Sequence, residues 1–598
     1  MDTMIFYRRG QIIIGIILLL LAFLNGCSQN TLVMVTPGFF TPTPTPFQPL
    51  EPTKITQHYV MPTATASTDD TVRGLTPTPS LTPLSKPTLN SGNMTENVDL
   101  TFWMDESVPL KLRSEVEITS DIQIAGKKES ANLILSATKA RNGISKWVFV
   151  LAAPFPTVED GVELEAVKNT WLGREGGIPE PILMSQITLN ALSVILGEPA
   201  EGAVRVVSES DLLDIAWAER SLYAILPFEA LEPRWKVLRV DEKSPLDKDF
   251  NIDAYPLTVR YRLVENQDSI GNLVTEGKMV KINVPLTNRD AEKMTTVVMT
   301  GVTALVRATG AKMEQNGMGY PARDILPWLK EADILHISNE VSFAKDCPPA
   351  DPYQRNLIFC SRPEYIELLD LIGVDVIELS GNHLLDWGPD AFLWTLDLYD
   401  ERGWKYYAGG HNEREAREPL KITHHGNHLA FIGCNVVGPP NDWASDTRPG
   451  SANCLDYGWI HETVTDLAES GYLPIVTLQH NEFYSLTVTP AQKQDFPPLA
   501  LAGAVIVSGS QAHYPNPFDF VDGRFIHYGL GNLFFDQMDH IIQPGIQREF
   551  IDRHVFYENR HISTEILTVY LEDFAKPRPM TEEERKAFLE EAFEASGW

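Results

Sequence analysis

Short apolar runs that end in polar side chains recur through the second half of the chain. They span residues 333–337, 374–379, 474–478, 504–507 and 525–528, and helix-like segments such as residues 391–396 separate them. Runs of this length are typical of buried strands, and their alternation with helices predicts a layered α/β fold with a largely parallel sheet. We expect this α/β domain to occupy residues 293–573.

The predicted strands end in side chains that can bind a ligand. Because parallel strands bring their carboxyl ends to one edge of a sheet, residues far apart in sequence converge there. Asp386 follows His383 by three residues, a spacing at which its carboxylate can orient the imidazole. The polar residues at these strand ends are Asn339, Glu340, Asn382, His383, Gln479, His480, Gln511, His513 and Asn532.

The order of these motifs resembles that of the CapA family, the poly-γ-glutamate capsule-synthesis proteins, which are related to the calcineurin-like metallophosphoesterases. The resemblance covers residues 295–572 and implies a metallophosphoesterase-type α/β fold. It also implies a role in the synthesis, export or attachment of a cell-surface polymer. The segments that carry it are Asn339-Glu340, Gly381-Asn382-His383 with Asp386 and Gly388, the strand end at His480, Gly509 to His513, and Tyr528 to Gln537.

The resemblance implies a role for each polar residue. His383 would be the acid or transition-state donor, oriented by Asp386, and a divalent metal (Mn, Fe or Zn) would activate water and clamp an oxyanion. The implied metal ligands are Glu340, Asn382, His480 and His513. The implied substrate-binding residues are Arg307, Asn339, Gln479 and Gln511.

The family pattern is incomplete in this chain. Val302 stands where the family carries a metal-binding Asp, and Ser510 stands where it carries the first His of its last motif. Because a slip of one residue swaps the face of a strand, Gln479 and His480 cannot both point into the site. Two interpretations stay open: a metal-dependent hydrolase or transferase, and a non-catalytic binding or scaffold protein whose site has lost its metal.

The N-terminal residues have the pattern of an export signal. Arg8-Arg9 precede an apolar run from Ile12 to Leu24, and Leu24-Asn25-Gly26-Cys27 resembles a bacterial lipobox. We expect residues 1–27 to be a lipoprotein signal peptide, with Cys27 lipidated and the rest of the chain anchored outside the cytoplasm. Residues 28–95 are rich in Thr and Pro, a composition that predicts a disordered stalk.

Residues 96–288 predict a separate α/β domain. Residues 146–151 are typical of a strand, residues 187–196 of a helix, and Ser208 or Ser210 of the cap of a following helix. Residues 226–231, 235–238 and 255–257 resemble part of a periplasmic solute-binding protein lobe of the phosphate-binding-like kind. Solute binding and a structural or docking role both stay open.

Residues 574–598 predict an acidic surface helix with a capping box at Thr581 and Glu584.

The cysteines indicate the compartment of the protein, and the net charge limits its possible partners. The four cysteines other than Cys27 predict disulfides Cys347–Cys360 and Cys434–Cys454 in an oxidising compartment. The net charge of −31 argues against nucleic-acid binding, which requires clustered basic side chains. The partners that the resemblance implies are an anionic surface polymer or its synthesis and export machinery. The predicted lipid on Cys27 implies the membrane as a further partner.

The segment from His424 to His428 is rich in histidine but lies between the apolar runs 420–422 and 429–433. Gly426-Asn427 is typical of a tight turn between two strands. We therefore predict a solvated hairpin here rather than a metal cluster.

Overall fold

The computed structural model describes residues 100–119, 122–265 and 282–598. The predicted signal peptide, Cys27 and the Thr/Pro-rich stalk lie outside the described residues. All described residues belong to one compact unit. Within them, no helix is long and apolar enough to cross a membrane.

The N-terminal part contains strands β1 Leu100–Met104, β2 Glu117–Ile118, β3 Ile122–Ile124, β4 Leu133–Thr138, β5 Ser145–Pro154, β6 Gly161–Val162, β7 Ile182–Met184, β8 Val204–Val206, β9 Ala224–Pro227, β10 Trp235–Val237, β11 Arg239–Val240, β12 Thr258–Glu265 and β13 Ile282–Asn283. Its main sheet has the order β3-β1-β4-β12-β5-β9-β7-β8, with β10 beside β5. Every residue of β5 from Trp147 to Pro154 is buried, which requires cover on both faces of the sheet.

The helices of this part are α1 Leu110–Glu115, α2 Leu164–Trp171, α3 Gln186–Leu196 and α4 Leu212–Glu219. The helix predicted at residues 187–196 is confirmed as α3, whose N-cap Ser185 accepts the Thr188 N–H at 3.2 Å. The predicted cap of α4 is wrong. Asp211 directly precedes that helix, and the hydroxyls of Ser208 and Ser210 lie 2.9 Å apart and bond each other instead of the helix backbone.

The C-terminal part contains strands β14 Met294–Thr303, β15 Ile334–Asn339, β16 Val376–Glu378, β17 Lys405–Tyr407, β18 Gly409–Gly410, β19 Leu420–His424, β20 Asn427–Asn435, β21 Gly450–Ser451, β22 Leu473–Gln479, β23 Ile506–Ser508, β24 Phe518–Val521, β25 Arg524–His527, β26 Asn532–Phe534, β27 Arg548–Tyr557, β28 Arg560–Glu572 and β29 Lys576–Pro579. One sheet has the order β17-β16-β15-β14-β27-β28-β29, with β26 beside β14. Its strands β14 to β17 are parallel, and β27 to β29 are antiparallel.

A second sheet has the order β19-β20-β22-β23-β25-β24, and its strands β20, β22, β23 and β25 are parallel. The predicted hairpin is confirmed as β19 and β20. Its turn lies one residue earlier than predicted, at His425 and Gly426, whose φ angles are 47° and 77°. Positive φ at both central residues matches the right-handed twist of the two strands.

The helices of this part are α5 Arg307–Asn316, α6 Leu326–Lys330, α7 Ile366–Ile372, α8 Pro389–Arg402, α9 Glu413–Ala416, α10 Gly458–Glu469, α11 Pro490–Ala502 and α12 Glu582–Ala595. Helices α5 to α8 cover one sheet, and α10 and α11 cover the other. Between the sheets, Val297 and Ile334 pack in one core with Phe431 and Ile475. The predicted α/β class is confirmed, but the strands form two sheets, since each buries an apolar face against the other.

The C-terminal helix α12 carries the predicted capping box. The Thr581 hydroxyl accepts the Glu584 N–H, and the Glu584 carboxylate accepts the Thr581 N–H. The helix is more than a surface element, because Phe588 and Phe593 are buried against the sheets. Its acidic face and its buried face together make it an amphipathic cover.

Candidate functional site

The carboxyl ends of the parallel strands meet at one edge, where most of the predicted site residues lie. Glu340 follows β15, Asn382 and His383 follow β16, Gln479 ends β22, and His513 follows β23. Gln479 Nε2 donates to Asn382 Oδ1 at 3.1 Å, and His513 Nε2 lies 3.6 Å from Glu340 Oε1. The fold therefore brings these side chains together, while their chemical roles stay predictions.

His383 and Asp386 form a hydrogen-bonded pair on the turn after β16. His383 Nδ1 lies 2.7 Å from Asp386 Oδ2, which also accepts the Phe359 N–H at 2.8 Å. Burial alone lowers the pKa of His383, but the Asp386 hydrogen bond and the charge of Glu340 outweigh it and raise the pKa above its usual value. Asp386 thereby fixes the orientation of the ring and leaves Nε2 for a ligand.

His513 faces two carboxylates with its Nε2 atom. Asn532 donates its Nδ2 to the His513 carbonyl, so its Oδ1, 2.8 Å from His513 Nδ1, accepts the proton of that nitrogen. Nε2 then lies 3.6 Å from Glu340 Oε1 and 3.4 Å from Glu482 Oε1. Glu482 is a site residue that the sequence interpretation missed, because it lies in the loop after β22.

Several polar atoms at this edge are buried without a hydrogen-bond partner among the described residues. They are Gln479 Oε1, both amide atoms of Gln511, and Glu340 Oε1. Burial raises the pKa of Glu340, the nearby His513 and His383 lower it, and Glu482 and Asp386 raise it further. Buried polar atoms of this kind are costly unless a ligand or water pairs with them. The edge is therefore suited to a polar ligand.

Two predicted residues lie outside this cluster. His480 Nε2 lies 2.9 Å from Asp495 Oδ2 on α11, and its ring packs on Phe496. Asn339 donates its amide to the Tyr399 hydroxyl at 2.9 Å, on the side of α8. Alternation along a strand explains both positions: Gln479 and Glu340 face the cluster, and their neighbours point to the opposite side.

Arg307 lies at the rim and is already paired. Its guanidinium donates to Asp536, which also accepts the Ala308 N–H at 2.9 Å and so binds the first turn of α5. The guanidinium carbon lies 4.7 Å from the centre of the Phe535 ring and 5.2 Å from that of Phe359. Asp536 thus neutralises Arg307, whose buried Nε atom has no hydrogen-bond partner among the described residues.

The positions at which the family carries further metal ligands are filled differently. Val302 belongs to a buried apolar cluster with Val341, Phe359 and Phe535. The Ser510 hydroxyl donates to the buried Glu378 and is turned away from the edge. Among the described residues, no group of three or more His, Cys, Asp or Glu side chains is arranged to hold a metal ion. The donor set therefore does not fit a two-metal centre.

Asp442 is a further acid near His383 that no sequence motif indicated. It lies in the loop between β20 and β21, is 1% exposed, and has no hydrogen-bond partner for either carboxylate oxygen among the described residues. Burial and the nearby charge of Asp386 together raise the pKa of Asp442 to about 8, although His383 opposes the shift. The acid therefore retains its proton at neutral pH.

The proton on Asp442 predicts a pH dependence of stability. The folded-state pKa of about 8 exceeds the usual value of 3.8. The contribution of Asp442 to the free energy of unfolding is therefore fully present below pH ~4 and is lost as pH rises to ~8. Asp442→Asn should raise the free energy of unfolding at pH 8 by up to about 5 kcal/mol and leave it nearly unchanged at pH 4. Urea unfolding at both pH values measures this, with exposed Asp446→Asn as the control. Equal effects at both pH values would contradict the prediction.

Comparisons with known proteins show which proteins this chain is similar to. Residues 296–537 match the family described as "Bacterial capsule synthesis protein PGA_cap". The chain is 24% identical over 260 residues to "Capsule biosynthesis protein CapA" of Bacillus anthracis, covering 42% of this chain and 62% of that protein. It is 22% identical over 227 residues to "PGA biosynthesis protein CapA" of Bacillus subtilis, covering 38% of this chain and 59% of that protein. The chain thus spans about 60% of the length of these curated relatives.

Two solved structures show remote likeness. NAD nucleotidase (NadN) of Haemophilus influenzae is 10% identical with a TM-score of 0.28, covering 50% of this chain and 55% of that chain. An ABC-type phosphate transport receptor of Vibrio cholerae is 12% identical with a TM-score of 0.24, covering 29% of this chain and 88% of that chain. At these TM-scores neither structure bears on the function.

Proposed function

We propose, from the membership of residues 296–537 in the bacterial capsule synthesis family PGA_cap, that this protein binds an anionic surface polymer during its synthesis, export or attachment. Poly-γ-glutamate is the model polymer, since a relative is described as a PGA biosynthesis protein. The candidate site supports the proposal with two imidazoles, on His383 and His513, that can donate to carboxylate oxygens.

The observation that carries the proposal is the contrast between preserved donors and absent metal ligands. His383 is held by Asp386 and His513 by Asn532, so both imidazoles are oriented. Val302 and Ser510, by contrast, leave the site without the ligands of a two-metal centre. Oriented donors without a metal centre favour binding over metal-assisted hydrolysis.

Hydrolysis or transfer at the same polymer is the second candidate function. The pair of His383 and Asp386 favours it, since an imidazole with a raised pKa can hand a proton from Nε2 to a leaving group. Glu340, a buried acid whose pKa burial raises, lies 3.6 Å from His513 Nε2 and is the candidate general base for water.

The location of the protein completes the proposal. The two disulfides, Cys347–Cys360 and Cys434–Cys454, are present as predicted and indicate an oxidising, non-cytoplasmic compartment. Attachment through a lipid on Cys27 and a Thr/Pro-rich stalk would hold the folded part at the membrane surface. The N-terminal sheet would then be a docking or solute-binding lobe, and the C-terminal part a calcineurin-like fold.

A binding measurement tests the proposed function. Fluorescently labelled poly-γ-glutamate should bind the purified full chain, and His383→Ala should weaken binding about tenfold or more through loss of an oriented hydrogen-bond donor. His428→Ala is the matched control, because that imidazole is exposed on the β20 side of the hairpin. Binding should be unchanged by EDTA.

The contrary outcomes separate the candidates. No binding by the wild-type chain would refute the proposed function. Binding that EDTA abolishes and Mn restores would show a metal-dependent site. Shortening of the polymer on incubation, lost in His383→Ala, would establish the hydrolase instead.

A further inference from the structure

A cavity of about 550 Å³ lies beside the candidate site, under the loop closed by the Cys347–Cys360 disulfide. The loop forms one wall, through side chains such as Tyr353 and Arg355. Arg307, Arg362 and Trp387 line the cavity from the domain body. A pocket of this size accommodates one or two residues of a polymer or a small ligand.

The cavity and the candidate site are neighbours. Arg307 lines the cavity, and its guanidinium lies over the rings of Phe359 and Phe535. The Phe359 ring is 4.8 Å from that of His383, and Trp387 follows Asp386 directly in the chain. Phe359 is 4% exposed and packs between His383 and Arg307, so a chain-like ligand that occupies the site at His383 reaches the cavity over the adjoining surface.

More arginines than acids line the cavity, and ion pairs use two of these arginines. Three arginines and a single acid, Asp351, line it, although the chain as a whole carries a net charge of −31. Arg307 is paired with Asp536, and Arg362 with Glu314 and Glu364. Within the part of the chain that the structure describes, the exposed Arg355 forms no ion pair. It is the cation with capacity for an external anion.

The loop that carries Arg355 is anchored at both ends. The Ala344 N–H donates to Ser361 at 3.0 Å, and the Ser361 N–H donates to Ser342 at 2.9 Å. The disulfide closes the loop between these anchors. A loop held in this way loses less conformational entropy when it binds a ligand.

We propose that this cavity is a second carboxylate subsite, in which Arg355 binds one repeat unit of an anionic polymer whose neighbouring units occupy the site at His383. This inference rests on the proposed function. It adds the place at which the polymer is bound beyond the site at His383. Tyr353, which is 85% exposed, and Trp387 supply aromatic surface for the chain between the carboxylates.

A length series of ligands tests the second subsite. Labelled oligo-γ-glutamate of about ten units spans both subsites, whereas free glutamate occupies one, so only the oligomer gains from the linkage. Arg355→Glu should weaken oligomer binding about tenfold at low salt and change glutamate binding by less than about twofold, because glutamate can still bind at His383. Arg355→Gln should weaken oligomer binding less, and the loss in both variants should shrink as salt is added.

Matched variants make the outcome decisive. Arg174→Glu reverses the charge of another exposed arginine, in the N-terminal part, and should leave oligomer binding unchanged. Equal losses in Arg174→Glu and Arg355→Glu would overturn the subsite in favour of general electrostatics. Wild-type oligomer binding that Arg355→Glu leaves intact but His383→Ala weakens would overturn the subsite alone. No oligomer binding by any variant or the wild-type chain would instead refute the proposed function.

Discussion

Glu378→Ala should lower the free energy of unfolding by about 4 kcal/mol. Glu378 is fully buried between the two C-terminal sheets and accepts hydrogen bonds from the hydroxyls of Ser338, Ser380 and Ser510. Alanine leaves those hydroxyls without their acceptor, at about 1 kcal/mol each, and adds a cavity that costs a similar amount. Chemical denaturation of the wild-type and variant chains measures the difference.

Glu378→Gln is the matched control for this change. Glutamine keeps the volume and one acceptor oxygen, so it should cost less than half of what alanine costs. Burial raises the pKa of Glu378, and the surrounding hydroxyls lower it. Equal losses in the two variants would contradict this prediction, because glutamine keeps one acceptor oxygen and fills the space that alanine leaves empty.

Gly301→Ala should destabilise the fold by about 4 kcal/mol, because the backbone just before β26 lies directly against β14 at this residue. A Cβ atom on Gly301 would lie 1.9 Å from the Gly531 carbonyl oxygen and 2.8 Å from its carbonyl carbon. Both contacts are with backbone, so relief requires the strands to separate. Asn532, next in the chain, would shift with them, and His513 would lose the hydrogen bond that orients it.

Thermal unfolding and polymer binding together test this prediction. Gly126→Ala is the control, because a Cβ there meets no atom within 4 Å and the residue does not have a positive φ. It should change stability by less than about 0.5 kcal/mol. A Gly301→Ala chain as stable as the Gly126→Ala chain would contradict the close approach of the two strands.

Local features were predictable because their physics is local. The capping box at Thr581 depends on residues three apart, and the hairpin depends on its turn. The two disulfides join cysteines separated by 13 and 20 positions, so few alternative pairings competed. The turn was placed one residue late, since His425 adopts a positive φ that is uncommon for a residue other than glycine.

The site was predictable only in outline. Alternation along β22 required that either Gln479 or His480 face the edge, but the choice depends on the strand's register with β20. Glu482 and Asp442 could not be found from pattern, because each lies in a loop whose path is set by contacts with other segments. Their proximity to His513 and His383 is a property of the folded chain.

The sequence by itself determined which strand ends carry polar side chains, which cysteines pair, and which family the motifs resemble. The tertiary structure alone decided that Val302 lies in an apolar cluster, that Ser510 serves the buried Glu378, and that Asp536 neutralises Arg307 from 229 positions away. The reason is physical. A motif specifies the donors and acceptors present, whereas their orientation and charge depend on neighbours that only the folded chain brings into contact.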